Sequence, residues 1–281
     1  MVKGSQKEKL KNLVSAWKKS GYRIGFVPTM GALHEGHLDL VRRARRECDR
    51  VIVSIFVNPL QFNNSEDLQR YPRMPEKDSE LLEQEGIDFL YLPEDNSFYE
   101  APAIVKIDFG TAGNLLEGAM RPGHFSGVGI VLARLFNLTQ PDRAYFGAKD
   151  LQQVAIVNLL VRDLGFPLTV VRCPTRRETS GLAMSSRNLR LSVAGREIAS
   201  RLYHSLRLAA DAGAEDPNNS KDLAMNYLRD FPAIEIEYLE WVDSETMEVW
   251  NGIGQVPDLP AVCIAARVEG IRLIDNIIPG E

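Results

Sequence analysis

Cysteine is scarce in this chain: Cys48, Cys173 and Cys263 are the only three in 281 residues, far apart and never spaced C-x-x-C. That excludes a disulfide framework and a cysteine-based zinc site. Long apolar runs are missing as well, and none approaches the roughly 20 residues of a membrane-spanning helix. The lysine-rich stretch Met1–Lys11 lacks the apolar centre of a signal peptide, so the expected setting is the cytoplasm, with no membrane partner. Two phosphate-binding signatures are also absent. Gly31-x-x-x-x-Gly36-His37-Leu38 has the glycine spacing of a Walker A loop, but neither the lysine that neutralises phosphate nor the hydroxyl that holds magnesium. No G-x-G-x-x-G occupies the same turn, which argues against a dinucleotide dehydrogenase.

What is present is an ordinary globular composition, 44% apolar and 25% charged, in a chain long enough for two domains. The net charge of −5 hides an asymmetry, because residues 1–50 hold 12 Lys/Arg against 5 Asp/Glu. Arg42, Arg43, Arg45 and Arg46 crowd one stretch with no aromatic residue between them. In an acidic chain such a patch reads as a solvated helix face, and no nucleic-acid partner is expected.

Helix and strand signals alternate over the first 175 residues. Apolar spacing predicts helices over 7–19, 38–46, 75–84, 127–138 and 151–164, the last with Asp150 as its N-cap. β-Branched and aromatic runs predict strands over 22–27, 51–57, 88–92, 143–146 and 168–172, with a short one over 104–108. The alternation predicts an α/β fold with a doubly wound parallel sheet. After Cys173-Pro174 come a polar loop over 175–188, a long helix over 193–213, a linker over 214–219, a further helix, and strands over 234–242, 262–268 and 271–278. The expected division is a Rossmann-like domain over 1–175 and a smaller α+β C-terminal domain over 176–281.

Pro28–His37 leaves the first strand and enters a helix, where open α/β sheets present helix N–H groups to a ligand. It holds two of the four histidines. Three residues apart at a helix start, His34 and His37 share a face, and their N–H groups can donate to phosphate oxygens in the field of the helix dipole. Gly36 lets a ligand approach the backbone. The same two with His124 also permit a three-histidine zinc site, and capping or core histidines are the plain structural alternative. At a second strand-to-helix turn, Gly147-Ala148-Lys149-Asp150, the lysine can supply charge and Asp150 can bind a ribose hydroxyl. Met184-Ser185-Ser186-Arg187 can fold two hydroxyls and a guanidinium over a polyphosphate. From these residues alone a nucleotide-dependent enzyme, a zinc hydrolase and a non-catalytic nucleotide-binding module all stay open.

Five stretches, Pro28–His37, Val57–Phe62, Arg121–Phe125, Gly147–Gln153 and Gly181–Asn188, resemble in order the signatures of the pantothenate synthetase (pantoate–β-alanine ligase) family. The likeness covers essentially the whole chain. The wider kinship is with nucleotidyltransferases that carry an H-x-G-H motif, here His34-Glu35-Gly36-His37. The resemblance implies a two-step reaction on the path to coenzyme A: ATP adenylates the carboxylate of (R)-pantoate and releases pyrophosphate, then the amine of β-alanine displaces AMP to give pantothenate. It implies Mg²⁺, a cytoplasmic homodimer and a C-terminal domain that closes over the nucleotide. It implies that Met30, Gly31, Ala32, Leu33, His34, Glu35, Gly36 and His37 hold ATP, with His37 the proton donor and His34 beside it on the phosphates. Gly147, Ala148, Lys149 and Asp150 would hold ribose and phosphates, Arg176 would meet adenine through its backbone, and Met184, Ser185, Ser186 and Arg187 would cover the triphosphate. Lys149 and Arg187 would be the catalytic cations. Gln61 and Gln153 are expected to bind pantoate, and Gln61 β-alanine as well.

Overall fold

The computed structural model describes residues 1–93 and 98–280. Six strands form one sheet: β1 (Val2–Gly4), β2 (Ile24–Thr29), β3 (Arg50–Ile55), β4 (Phe89–Tyr91), β5 (Arg143–Gly147) and β6 (Thr169–Cys173). Their order is β1-β4-β3-β2-β5-β6, every neighbouring pair parallel. The helices in chain order are α1 (Lys7–Lys19), α2 (Glu35–Glu47), α3 (Ser65–Gln69), α4 (Pro75–Gln84), α5 (Gly110–Asn114), α6 (Glu117–Met120), α7 (His124–Thr139), α8 (Leu151–Asp163), α9 (Val193–Ala212) and α10 (Pro217–Leu228). Alternation along β2 shows how both faces are covered. Val27 packs with Val41 and Ala44 of α2 and Leu82 of α4, while its neighbour Phe26 meets Phe136 of α7 edge-on at 6.3 Å. This is the doubly wound parallel sheet the sequence predicts. Chain order departs in opposite directions from β2, so the exits of β2 and β5 flank the switch point, where such sheets bind ligands.

Several boundaries differ from the sequence reading. The unpredicted β1 adds an edge strand beside β4; three residues are too few to show a period. β2 continues through Pro28 and Thr29, which pair with Ser54 and Ile55 of β3. Proline is tolerated there because β5 pairs only with Gly25 and Phe26, leaving the other side of Pro28 without a ladder partner. The predicted strand over 104–108 does not form. Ile104 and Val105 are exposed, and Ile107 N–H donates to the Ser126 hydroxyl at 3.1 Å rather than to a strand. Asp150, the residue directly before α8, closes a 3₁₀ turn, Ala148–Asp150, that runs into the helix.

In the C-terminal part, β7 (Ile234–Asp243), β8 (Pro260–Val268) and β9 (Ile271–Ile277) form an antiparallel sheet in that order. Leu202, Leu206 and Ala209 of α9 and Ala224 and Leu228 of α10 pack with Trp241, Val262 and Ile264. Trp241 is fully buried, and its indole N–H donates to the Ser220 hydroxyl at 2.7 Å, so the ring's one polar atom is satisfied. α10 begins inside the predicted linker, where the Asp216 carboxylate accepts from Asn219 N–H. The chain forms two compact units, Met1–Ala148 with Ile156–Cys173, and Lys149–Ala155 with Pro174–Glu281. The first turns of α8 thus pack with the C-terminal unit. No helix among the described residues is long and apolar enough to cross a membrane.

Candidate active site

The turn after β2 is held in a shape that sequence propensity disfavours. Gly31 and Ala32 both adopt positive φ, +84° and +50°, a conformation that costs a residue with a Cβ roughly 1–2 kcal/mol. A carboxylate from α4 offsets this. Asp78, 1% exposed, accepts Ala32 N–H through Oδ2 and Leu33 N–H through Oδ1, each at 2.8 Å. Burial pushes the Asp78 carboxyl above its usual range, against the pull of those two N–H groups. Gly31 is needed as well, since a Cβ there would lie 3.0 Å from Ile55 and 3.1 Å from Asp78.

The turn delivers His34 to the N-cap of α2, with His37 in the first turn. Their ring centroids are 4.1 Å apart. His34 N–H donates to His37 Nδ1 at 3.4 Å. Because Nδ1 accepts, the neutral ring carries its proton on Nε2. The expected pairing of the two histidines at a helix start is therefore present.

Gln61 follows β3 in a 3₁₀ turn, Pro59–Gln61, and is 7% exposed. Its Nε2 donates to Met30 Sδ and its Oε1 accepts from Asn58 Nδ2, both at 3.1 Å. Asn58 is the hub: Nδ2 also donates to Gly127 O at 3.1 Å, and Oδ1 accepts from Tyr99 at 2.9 Å. Burial pushes the Tyr99 phenol up, so it stays a donor. His124 Nδ1–H donates to Gln61 O at 2.8 Å, and the Arg121 guanidinium lies on its Nε2 at 3.2 Å and on Gln61 O at 3.2 Å. Both ring nitrogens of His124 thus support the main chain of Gln61. Among the described residues no three His, Cys, Asp or Glu side chains gather as a metal site, and the zinc arrangement of His34, His37 and His124 is not formed. Sequence reasoning missed Asp78, Asn58, Tyr99 and Arg121 as site residues. Asp78 in the first turn of α4 looks like an ordinary helix-dipole acid, and only its partners distinguish it.

In the second unit Lys149 Nζ lies 3.4 Å from Asp150 Oδ1, and the Lys149 side chain is only 16% exposed. Gln153 is half-buried in the first turn of α8. Arg176 O accepts from Met184 N–H at 2.9 Å, and Arg177 bridges to Ala183, so 176–184 forms a small hairpin that brings Arg176 beside Met184. Ser185 caps the following 3₁₀ turn by accepting Arg187 N–H at 3.3 Å. Ser186 is buried and Arg187 half-buried beside it. In the first unit three of the four arginines of α2 are paired: Arg42 with Glu35, Asp39 and Glu85, Arg43 with Glu47, and Arg45 with Asp88.

The first unit is a doubly wound α/β fold with a histidine pair at a helix N-terminus beside the switch point, where such sheets bind ligands, and the second is an α+β unit that carries a lysine turn and a Ser-Ser-Arg segment. The sequence model of the family "Pantoate-beta-alanine ligase" matches residues 4–278. A pantothenate synthetase of Cytophaga hutchinsonii is 47% identical over 264 residues, 93% of each chain, and one of Thermotoga petrophila is 44% identical over 276 residues, 97% of this chain and 98% of that one. The crystal structure of pantothenate synthetase from Thermus thermophilus superposes with a TM-score of 0.91 at 42% identity, covering 99% of both chains. That of pantoate-β-alanine ligase from Francisella tularensis, complexed with a β-γ ATP compound and β-alanine, has a TM-score of 0.82 at 34% identity over 100% of this chain and 98% of that one. The chain belongs to the pantoate–β-alanine ligase family.

Proposed function

We infer that the chain condenses (R)-pantoate with β-alanine at the expense of ATP, through a pantoyl adenylate. The substrate carboxylate is itself the nucleophile: its oxygen attacks the α-phosphorus, pyrophosphate departs, and the amine of β-alanine then attacks the acyl carbon and expels AMP. The protein has no bond of its own to make; it aligns reactants and stabilises charge on the phosphate oxygens. The observation that carries this reading is the pair of His34 and His37 rings, 4.1 Å apart at the N-terminus of α2 beside the switch point of the sheet. His34 and the N–H groups of α2 add to the same anion site. Gln61, held by Asn58 and Met30, orients pantoate and meets β-alanine, and Gln153 binds pantoate from α8. Lys149 and Arg187 are the cations on the phosphates, Asp150 serves the ribose, the Arg176 backbone serves adenine, and Ser185 and Ser186 line the triphosphate segment.

Both oxygens of Asp78 are taken by backbone N–H groups, and the described residues offer no metal cage. Magnesium therefore enters this proposal as a companion of the triphosphate, held by phosphate oxygens and water, and no step is routed through it. A homodimer and a cytoplasmic setting belong to the same proposal. The deciding experiment mixes enzyme, ATP and pantoate without β-alanine and measures pyrophosphate. One burst equal to the enzyme concentration, turning into steady release when β-alanine is added, is the expected result; no pyrophosphate before β-alanine arrives overturns the adenylate route.

A further inference from the structure

Two polar residues interrupt the last strand. Asp275 and Asn276 sit in β9 between Ile274 and Ile277, 5% and 6% exposed, in a sheet that would pack more cheaply with apolar side chains there. Both are engaged within the second unit. Asn276 Nδ2 donates to the main-chain oxygen of Lys149 at 2.8 Å, across 127 residues of sequence. Asp275 takes Arg177 through both oxygens, at 2.6 and 3.0 Å, and Asn276 O accepts from the same guanidinium at 3.1 Å. Arg177 also donates to Gly181 O at 3.2 Å and lies over the Tyr203 ring at 4.0 Å, at the base of the hairpin that leads into Met184–Arg187.

We propose that Asn276 is a positioning residue for Lys149: it fixes the main chain of the lysine's turn, while its neighbour Asp275 fixes Arg177 and the hairpin ending at Met184. This rests on the reading of Lys149 as a phosphate-binding cation. Lys149 stands in a 3₁₀ turn of three residues, and such a turn has few internal bonds to define where a long side chain starts. A displacement of about 1 Å at a charged group is enough to cost catalysis heavily. The strand thus carries two residues whose burial is a cost to the sheet and a gain to the site.

A double-mutant cycle tests this, with pantoate-dependent pyrophosphate release measured for wild type, Asn276→Ala, Lys149→Ala and the double variant. Asn276→Ala is expected to lower kcat about tenfold, the worth of one buried hydrogen bond expressed as a rate. In the Lys149→Ala background the same change is expected to alter kcat by less than about twofold, because its route of action is gone. Effects that multiply, or a wild-type kcat for Asn276→Ala beside an impaired Lys149→Ala, overturn the proposal and leave the role of Lys149 standing. Wild-type turnover in Lys149→Ala overturns that role and the proposal with it. Thermal melts accompany each variant, and Asn276→Ser, which keeps a small hydroxyl donor, repeats the cycle in a less cavity-prone background.

Discussion

In the proposed reading His37 donates to phosphate at the turn after β2, while Asp78 holds that turn from behind. Removing a single preorganised donor at a developing oxyanion typically costs about 2.7–4 kcal/mol, or 10²–10³ in rate. His37→Ala is therefore expected to lose kcat by about that factor while melting close to wild type, and stopped-assay pyrophosphate measurements check it. Asp78→Ala leaves Ala32 and Leu33 N–H groups buried without acceptors, about 1–3 kcal/mol for each group, and releases a turn whose positive φ angles it offset. The expected result is a raised KM for ATP together with a lower Tm; an unchanged KM for ATP would show that the turn keeps its shape unaided. Gln153→Ala is expected to weaken pantoate binding chiefly, as measured by titration of pantoate alone. The two histidines were legible in the sequence because their spacing and the adjoining helix start are local. Asp78 was not, because nothing within its own helix marks an acid as the acceptor for a loop 45 residues earlier.

At the scale of elements, α7 and the 3₁₀ turn Pro59–Gln61 touch backbone to backbone. A Cβ at Gly127 would collide with the main chain of Leu60 and Gln61, and Asn58 Nδ2 bonds Gly127 O across the same contact. Gly127→Ala is expected to push the turn outward, raising the KM for pantoate and lowering Tm by several degrees; kinetics with varied pantoate and a thermal melt check both. Most elements were readable because their hydrophobic signals are long: β3 is a near-continuous β-branched run broken only by Ser54 after Arg50, and α9 spans 20 residues. Where periods were short the reading failed, with β1 missed and a strand predicted over 104–108 that has no ladder. A run such as Ala103-Ile104-Val105 has β propensity, but propensity becomes a strand only when a neighbouring edge is available.

At the scale of the whole molecule, acid stability has a specific contributor. Glu47 joins Arg43, Arg143 and Tyr145 at 2.9, 2.6 and 3.1 Å, and these partners, Arg43 foremost, hold its carboxyl down at about 2 against an ordinary value of 4.5. A carboxyl depressed in the folded state contributes stability above its unfolded pKa, and that contribution is lost as pH falls from about 4.5 toward 2. Glu47→Gln is expected to cost on the order of 1–2 kcal/mol at pH 6, after allowance for solvent screening, and to narrow the gap to wild type as the pH falls. Urea titrations at pH 6 and pH 3.5 check the sign. The sequence by itself determined the doubly wound sheet, the turn and helix start at the exit of β2, and the residues of the H-x-G-H and Lys-Asp motifs, since each is written in neighbouring residues. Only the tertiary structure decided what supports them: Asp78 behind the first turn, Asn58 and His124 around Gln61, and Asn276 under Lys149. The physical reason is range. A hydrogen bond that spans 46, 63 or 127 residues leaves no local period or spacing, and becomes visible only when the fold has brought its two ends within 3 Å.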